Sequence, residues 1–151
     1  MNELRDILRE MIQLYKSCLD LEYDKHEAAI KNDIETLDRI VSEEQVFYMK
    51  MRGLEQKREK LFNSMNLGNR SLSEIIDTME EKQDEFKKLQ DELNDILAEL
   101  KKINSLNKTV IEVQLRRIDK AMKDLGEKEN TYTSGKSNDN PPKSLLISRK
   151  I

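Results

Sequence analysis

The sequence contains no tryptophan, one cysteine, one histidine, two prolines and four glycines. Each scarcity excludes something. Cys18, standing alone, cannot form an intramolecular disulfide. So few glycines and prolines supply too few breaks for a compact α/β domain. No uncharged apolar run is long enough to cross a bilayer. Glu3, Arg5, Asp6, Arg9 and Glu10 interrupt any apolar stretch a signal peptide would need, so a cytoplasmic protein without stable membrane insertion is expected. A clustered basic face is also missing. The net charge is −3, and acids surround most of the short basic pairs Lys87-Lys88, Lys101-Lys102 and Arg116-Arg117. Nucleic acid is therefore not an expected partner.

The same poverty argues against catalysis and metals. A di-iron bundle needs a Glu-x-x-His pair from each of two helices and two further glutamates. His26 is alone, and with Glu22 one turn before it reads as a surface histidine beside a solvated acid. Cys18 falls on an apolar stripe with no histidine on that face, which suits a small buried hydrophobe better than a nucleophile. The isolated glycines form no phosphate loop. Glu43-Glu44, Glu80-Glu81 and Asp91-Glu92 lack the alternation of a calcium loop. No enzyme activity, metal or cofactor is expected.

What the chain does have is charge, at 38% of residues, and helical periodicity. Leu4, Ile7, Leu8, Met11, Leu14, Tyr15, Cys18, Leu19 and Leu21 recur in steps of three and four, predicting a helix over about 3–31. Asn32-Asp33 interrupts it, with Asp33 suited to cap the next helix; a tight turn and a kinked continuous helix both remain open. Ile34, Leu37, Ile40, Glu44, Phe47, Met51, Leu54, Arg58, Leu61 and Met65 give a near-heptad over 34–66, with Gly68 placed as its C′ residue. Ser71 and Glu74 fit a capping box. A long helix over about 73–125 comes next, ending at Gly126, with a separate short helix near 72–79 as the alternative. Asn107 lies on its extrapolated seam, where a polar residue fixes register. The expected architecture is all-α: an elongated antiparallel bundle or coiled coil over 1–125 with one long C-terminal helix. A polar tail over 126–151, expected to be disordered, completes the chain.

Helix lengths carry the functional reading. The first two helices reach roughly 45–50 Å and the third roughly 80 Å, so the bundle cannot cover the third completely. Its overhang, about Asn107–Leu125, still carries Ile111, Leu115, Ile118, Met122 and Leu125. An uncovered apolar stripe implies a partner. That partner is either another protein's amphipathic helix or a second copy of the chain; homodimer formation is left open. Aspartate at Ile111 or Leu115 is expected to abolish partner binding while the chain stays helical.

The order of segments resembles the FlgN family. The similarity rests on Leu19-x-x-Glu22 with Glu27-Ala28-Ala29-Ile30-x-x-Asp33-x-Glu35-x-Leu37, on Leu54-Glu55-x-x-Arg58, and on the Leu67-Gly68 ending. It continues through Asn104-x-x-Asn107, Gln114, Ile118 and Ala121 to Tyr132-x-x-Gly135. The resemblance implies a cytosolic chaperone of flagellar type III export. Such a protein binds hook–filament junction (hook-associated) proteins, prevents their premature association and delivers them to the export apparatus. It also implies that the C-terminal region holds the client and docks at the export gate. The residues expected to bind partners are therefore Asn107, Ile111, Gln114, Leu115, Ile118, Met122, Leu125 and Tyr132. The alternative reading is a structural coiled-coil or adaptor protein that self-associates through the same helix.

Overall fold

The computed structural model describes residues 1–130, with side chains through Glu127. These residues form four helices and no strand: α1 Asn2–Ile30, α2 Ile34–Ser64, α3 Leu72–Asp77 and α4 Gln83–Asn130. The all-α class with one long final helix is as expected. The tail beyond residue 130, with Tyr132 and Leu145-Leu146-Ile147, lies outside the described residues.

The break after α1 is a true reversal. Asn32 takes the left-handed conformation (φ 54°). The Asp33 N–H then donates to the Ala28 carbonyl at 2.9 Å and the Asn32 N–H to that of Ala29 at 3.2 Å. This is a Schellman closure, with asparagine where glycine is commoner. Asp33 immediately caps α2: its carboxylate accepts from the Thr36 N–H at 3.2 Å and the Thr36 hydroxyl at 2.6 Å. Those hydrogen bonds, the hydroxyl's first, hold the Asp33 carboxyl below its ordinary pKa of 3.8.

α2 closes by the same device. Asn66 (φ 58°) is the C′ residue, with Leu67 N–H to Phe62 carbonyl at 2.8 Å and Asn66 N–H to Asn63 carbonyl at 3.1 Å. Gly68 is therefore not the cap, and its φ is not positive. Its lack of a side chain serves a close approach instead: a Cβ there would meet the Asn63 side-chain oxygen.

Of the two readings of 73–125, the alternative is the one found: a separate short helix, α3, precedes the long α4. Ser71 and Glu74 form the capping box, with the Ser71 N–H on Glu74 Oε2 at 2.7 Å and the Glu74 N–H on Ser71 Oγ at 3.2 Å. After one and a half turns the Thr78 hydroxyl bonds back to the Ile75 carbonyl at 2.8 Å. Gln83 Nε2 then donates to the Ile76 and Asp77 carbonyls at 3.1 and 3.3 Å, adding a side-chain donor to an Ile76 carbonyl that already accepts from the Met79 N–H at 3.0 Å. Lys82 turns the chain with φ 59° and α4 begins. At its far end α4 runs through Gly126 to Asn130. One glycine inside a helix costs only about 1 kcal/mol relative to alanine, too little to force a stop.

The chain divides into two compact units, and α1, α2 and α4 each contribute to both. Unit 1 combines Met1–Leu21 with Glu43–Lys102. Its core joins Leu4, Ile7, Leu8, Met11 and Ile12 of α1 to Leu54 and Phe62 of α2, Ile75 and Ile76 of α3, and Phe86, Leu93 and Ile96 of α4. Arg9 meets Glu85 at 3.3 Å and Lys16 meets Glu92 at 2.8 Å, an equal advance on both helices, so α1 and α4 run parallel here. Two stripe residues of α2 with charged heads are resolved: Glu44 is buried. Arg58 pairs with Glu55 at 2.7 Å and lies 5.6 Å above the Phe62 ring.

Unit 2 combines Glu22–Ser42 with the chain from Ile103 onward. Ala28, Ala29, Leu37, Ile40, Val41, Ile103 and Ile111 are buried in it. Alanines at 28 and 29 keep the α1 surface flat, which allows close helix contact.

Candidate partner-binding site

The site builds outward from a polar cluster in unit 2. Asn107 is 1% exposed. Its amide nitrogen donates to the Glu22 backbone carbonyl at 2.8 Å and to Glu22 Oε2 at 3.0 Å. Its oxygen faces His26 Nδ1 at 2.9 Å, which makes Nδ1 the donor. Lys25 Nζ lies 3.8 Å from Glu22 Oε1, and both side chains are almost completely buried. A buried carboxylate is tolerable only with such partners. One heptad along each helix, Gln114 Nε2 donates to the Ala29 carbonyl at 3.3 Å. The equal spacing shows α1 and α4 parallel in this unit too.

This geometry corrects the expectation for the start of the overhang. Asn107 is engaged inside the unit, and Ile111 is 4% exposed. Gln114, Leu115 and Ile118 are half-buried. Leu115 and Ile118 border a crevice with Ala29, Ile34 and Leu37. The stripe is thus buried at Asn107 and Ile111, which offer no surface to a partner, and only partly covered at Leu115 and Ile118. His26 is likewise no surface residue beside a solvated acid, since Glu22 is buried. Cys18 is half-buried.

Beyond Ile118 the same face of α4 continues. Met122 and Leu125 succeed Ile111 and Ile118 at helical spacing, and there exposure rises to 46% and 61%. Next to the crevice, Ile30 and Ile34 are also exposed at the α1–α2 turn. Periodicity placed Ile34 on the core stripe; its exposure reflects its place at the first turn of α2, where cover from α1 has ended. The end of α4 and the α1–α2 turn each expose apolar side chains. Flanking that face of α4, Lys123 pairs with Asp119 at 3.1 Å, giving the segment one polar side. Among the described residues no group of three or more His, Cys, Asp or Glu side chains could hold a metal. No described helix is long and apolar enough to cross a membrane. Tyr132 lies outside the described residues.

A family model described as FlgN protein matches residues 1–140. No curated protein and no solved structure matches the chain. The chain belongs to the FlgN family, whose general role is that of flagellar export chaperone.

Proposed function

We propose that this FlgN-family chain works in the cytoplasm as an export chaperone, not an enzyme. It holds hook-associated junction proteins by the C-terminal end of α4, keeps them from associating early and hands them to the flagellar type III export apparatus. One observation carries the site: the apolar face of α4, buried at Ile111, runs on past its cover to Met122 and Leu125. An amphipathic helix from a client would lie against Leu115, Ile118, Met122 and Leu125, with anchors one and two turns apart. Full burial of each such side chain is worth about 1.5–3 kcal/mol before ordering costs. Tyr132 belongs to the same proposal as an anchor for the client or the export machinery.

The test is calorimetric titration with the terminal segment of a hook–filament junction protein. Met122→Asp/Leu125→Asp is expected to lose binding with an unchanged melting curve. Undiminished binding by that variant would refute the site. A dimer that the same substitutions dissociate, with no client binding, would replace the chaperone reading by self-association.

A further inference from the structure

Unit 1 carries a second surface that the proposed client site does not use. An open groove of about 620 Å³ runs between α1 and α2 on this unit, with Arg9, Glu10, Gln13 and Ser17 on one wall and Lys50 and Lys57 on the other. Its floor is Leu14, Leu54 and Gly53.

Gly53 is the first sign that something docks there. It sits in mid-α2, where glycine weakens a helix. A glycine in such a place commonly permits a close approach, as Gly68 does for Asn63. Yet a Cβ at Gly53 would find nothing within 4 Å. No packing among the described residues accounts for it; the space above it opens into the groove. Two turns and one turn earlier on the same face of α2, Val46 and Met49 are 51% and 75% exposed, extending the apolar strip.

Charge is the second sign, and it names the occupant. The chain carries net −3. The groove reverses that sign: Lys50, Lys57 and Arg9 stand against the single acid Glu10. Arg9 is held by Glu85 at 3.3 Å. Lys50 and Lys57 have no carboxylate partner among the described residues. Each wall spans about two helical turns, roughly 12 Å, the footprint of one helix laid into the seam between two others. We propose that this groove docks an acidic amphipathic helix of a partner protein, its apolar face over Gly53 and its carboxylates on Lys50 and Lys57. Occupancy here is independent of the end of α4.

The probe is a synthetic amphipathic helix with leucines along one seam and glutamates on both flanks, compared with the same peptide bearing glutamines. Binding to the full chain is monitored by fluorescence anisotropy, and the contact is located by backbone amide shifts. The glutamate peptide is expected to bind at least tenfold more tightly than the glutamine peptide, shifting amides in 9–17 and 50–57. Lys50→Glu/Lys57→Glu should lower affinity tenfold or more. Gly53→Leu should fill the groove and lower affinity while raising the melting temperature, an opposition that a merely damaged fold would not give. Equal binding of the two peptides, no binding of either, or shifts confined to 118–127 would overturn the proposal. So would a concentration-dependent mass abolished by Lys50→Glu/Lys57→Glu, which would mean a second copy fills the groove.

Discussion

Asn107 was legible as a register-setting seam residue, because asparagine at an apolar period has few other reasons to be there. Its partners were not legible, since Glu22 lies 85 positions away and pairing it required the parallel register of α1 and α4. Asn107→Leu would leave the buried Glu22 carboxylate without its amide donor and His26 without its acceptor. A loss of about 1–3 kcal/mol is expected, read as a lower urea midpoint, with faster amide exchange at residues 22–30. Asp33 supports a prediction on pH. Its folded pKa is depressed by the Thr36 hydrogen bonds, so its contribution is present above the ordinary value of 3.8 and is lost as pH falls through the lower folded value. A carboxyl carbon titration of Asp33 by NMR should therefore have its midpoint below 3.8. A midpoint at or above that value would mean the cap is not formed. Gly53 gives the third expectation at this scale: Gly53→Ala should raise stability by about 1 kcal/mol in chemical denaturation, since no neighbour opposes the added methyl.

At the scale of elements, helix starts are set by side-chain caps visible in the sequence, while helix ends are set by backbone geometry that is not. The Asp33 cap and the Ser71–Glu74 box are side-chain devices written locally in the sequence. The ends of α1 and α2 are backbone devices: Asn32 and Asn66 take the left-handed turn, while the eye goes to Gly68. The sequence leaves the split between α3 and α4 open, as a short helix near 72–79 or one continuous helix, because Leu72, Ile75, Ile76 and Met79 keep helical spacing right up to the break. What stops α3 is Thr78 folding back on Ile75 and Gln83 reaching back to Ile76, contacts that no period reveals. Gln83→Ala should therefore leave the Ile76 carbonyl without its side-chain donor. A loss of about 1 kcal/mol is expected, with faster amide exchange confined to residues 75–86. An unchanged urea midpoint would mean that Thr78 alone ends α3.

For the molecule as a whole, composition settled the class, and helix length predicted an uncovered apolar stripe on α4 that starts further along the helix than Asn107. An overhang starting at Asn107 follows from a long helix that starts at residue 73. α4 actually begins at Gln83, and the α1–α2 turn then reaches Gln114 and Ile118, about as many residues further on. That shift decides how the client site must be tested. A chain cut after Ser105 would lose Asn107 and Ile111, so unit 2 would fail with it and lost binding would say nothing about a surface. A chain cut after Lys120 keeps Asn107, Ile111 and Ile118 and removes only the exposed continuation with the tail. This shorter chain should melt within a few degrees of the full one and show the same helical spectrum per residue. It should nonetheless lose calorimetric binding to the hook-associated segment. Ile111→Asp should behave oppositely, losing about 3 kcal/mol or more of stability because it buries an unpaired charge. If the chain cut after Lys120 still binds while Met122→Asp/Leu125→Asp in the full chain also binds, the client is not held by the end of α4. The apolar seat at Ile30 and Ile34 would then be the next surface to substitute.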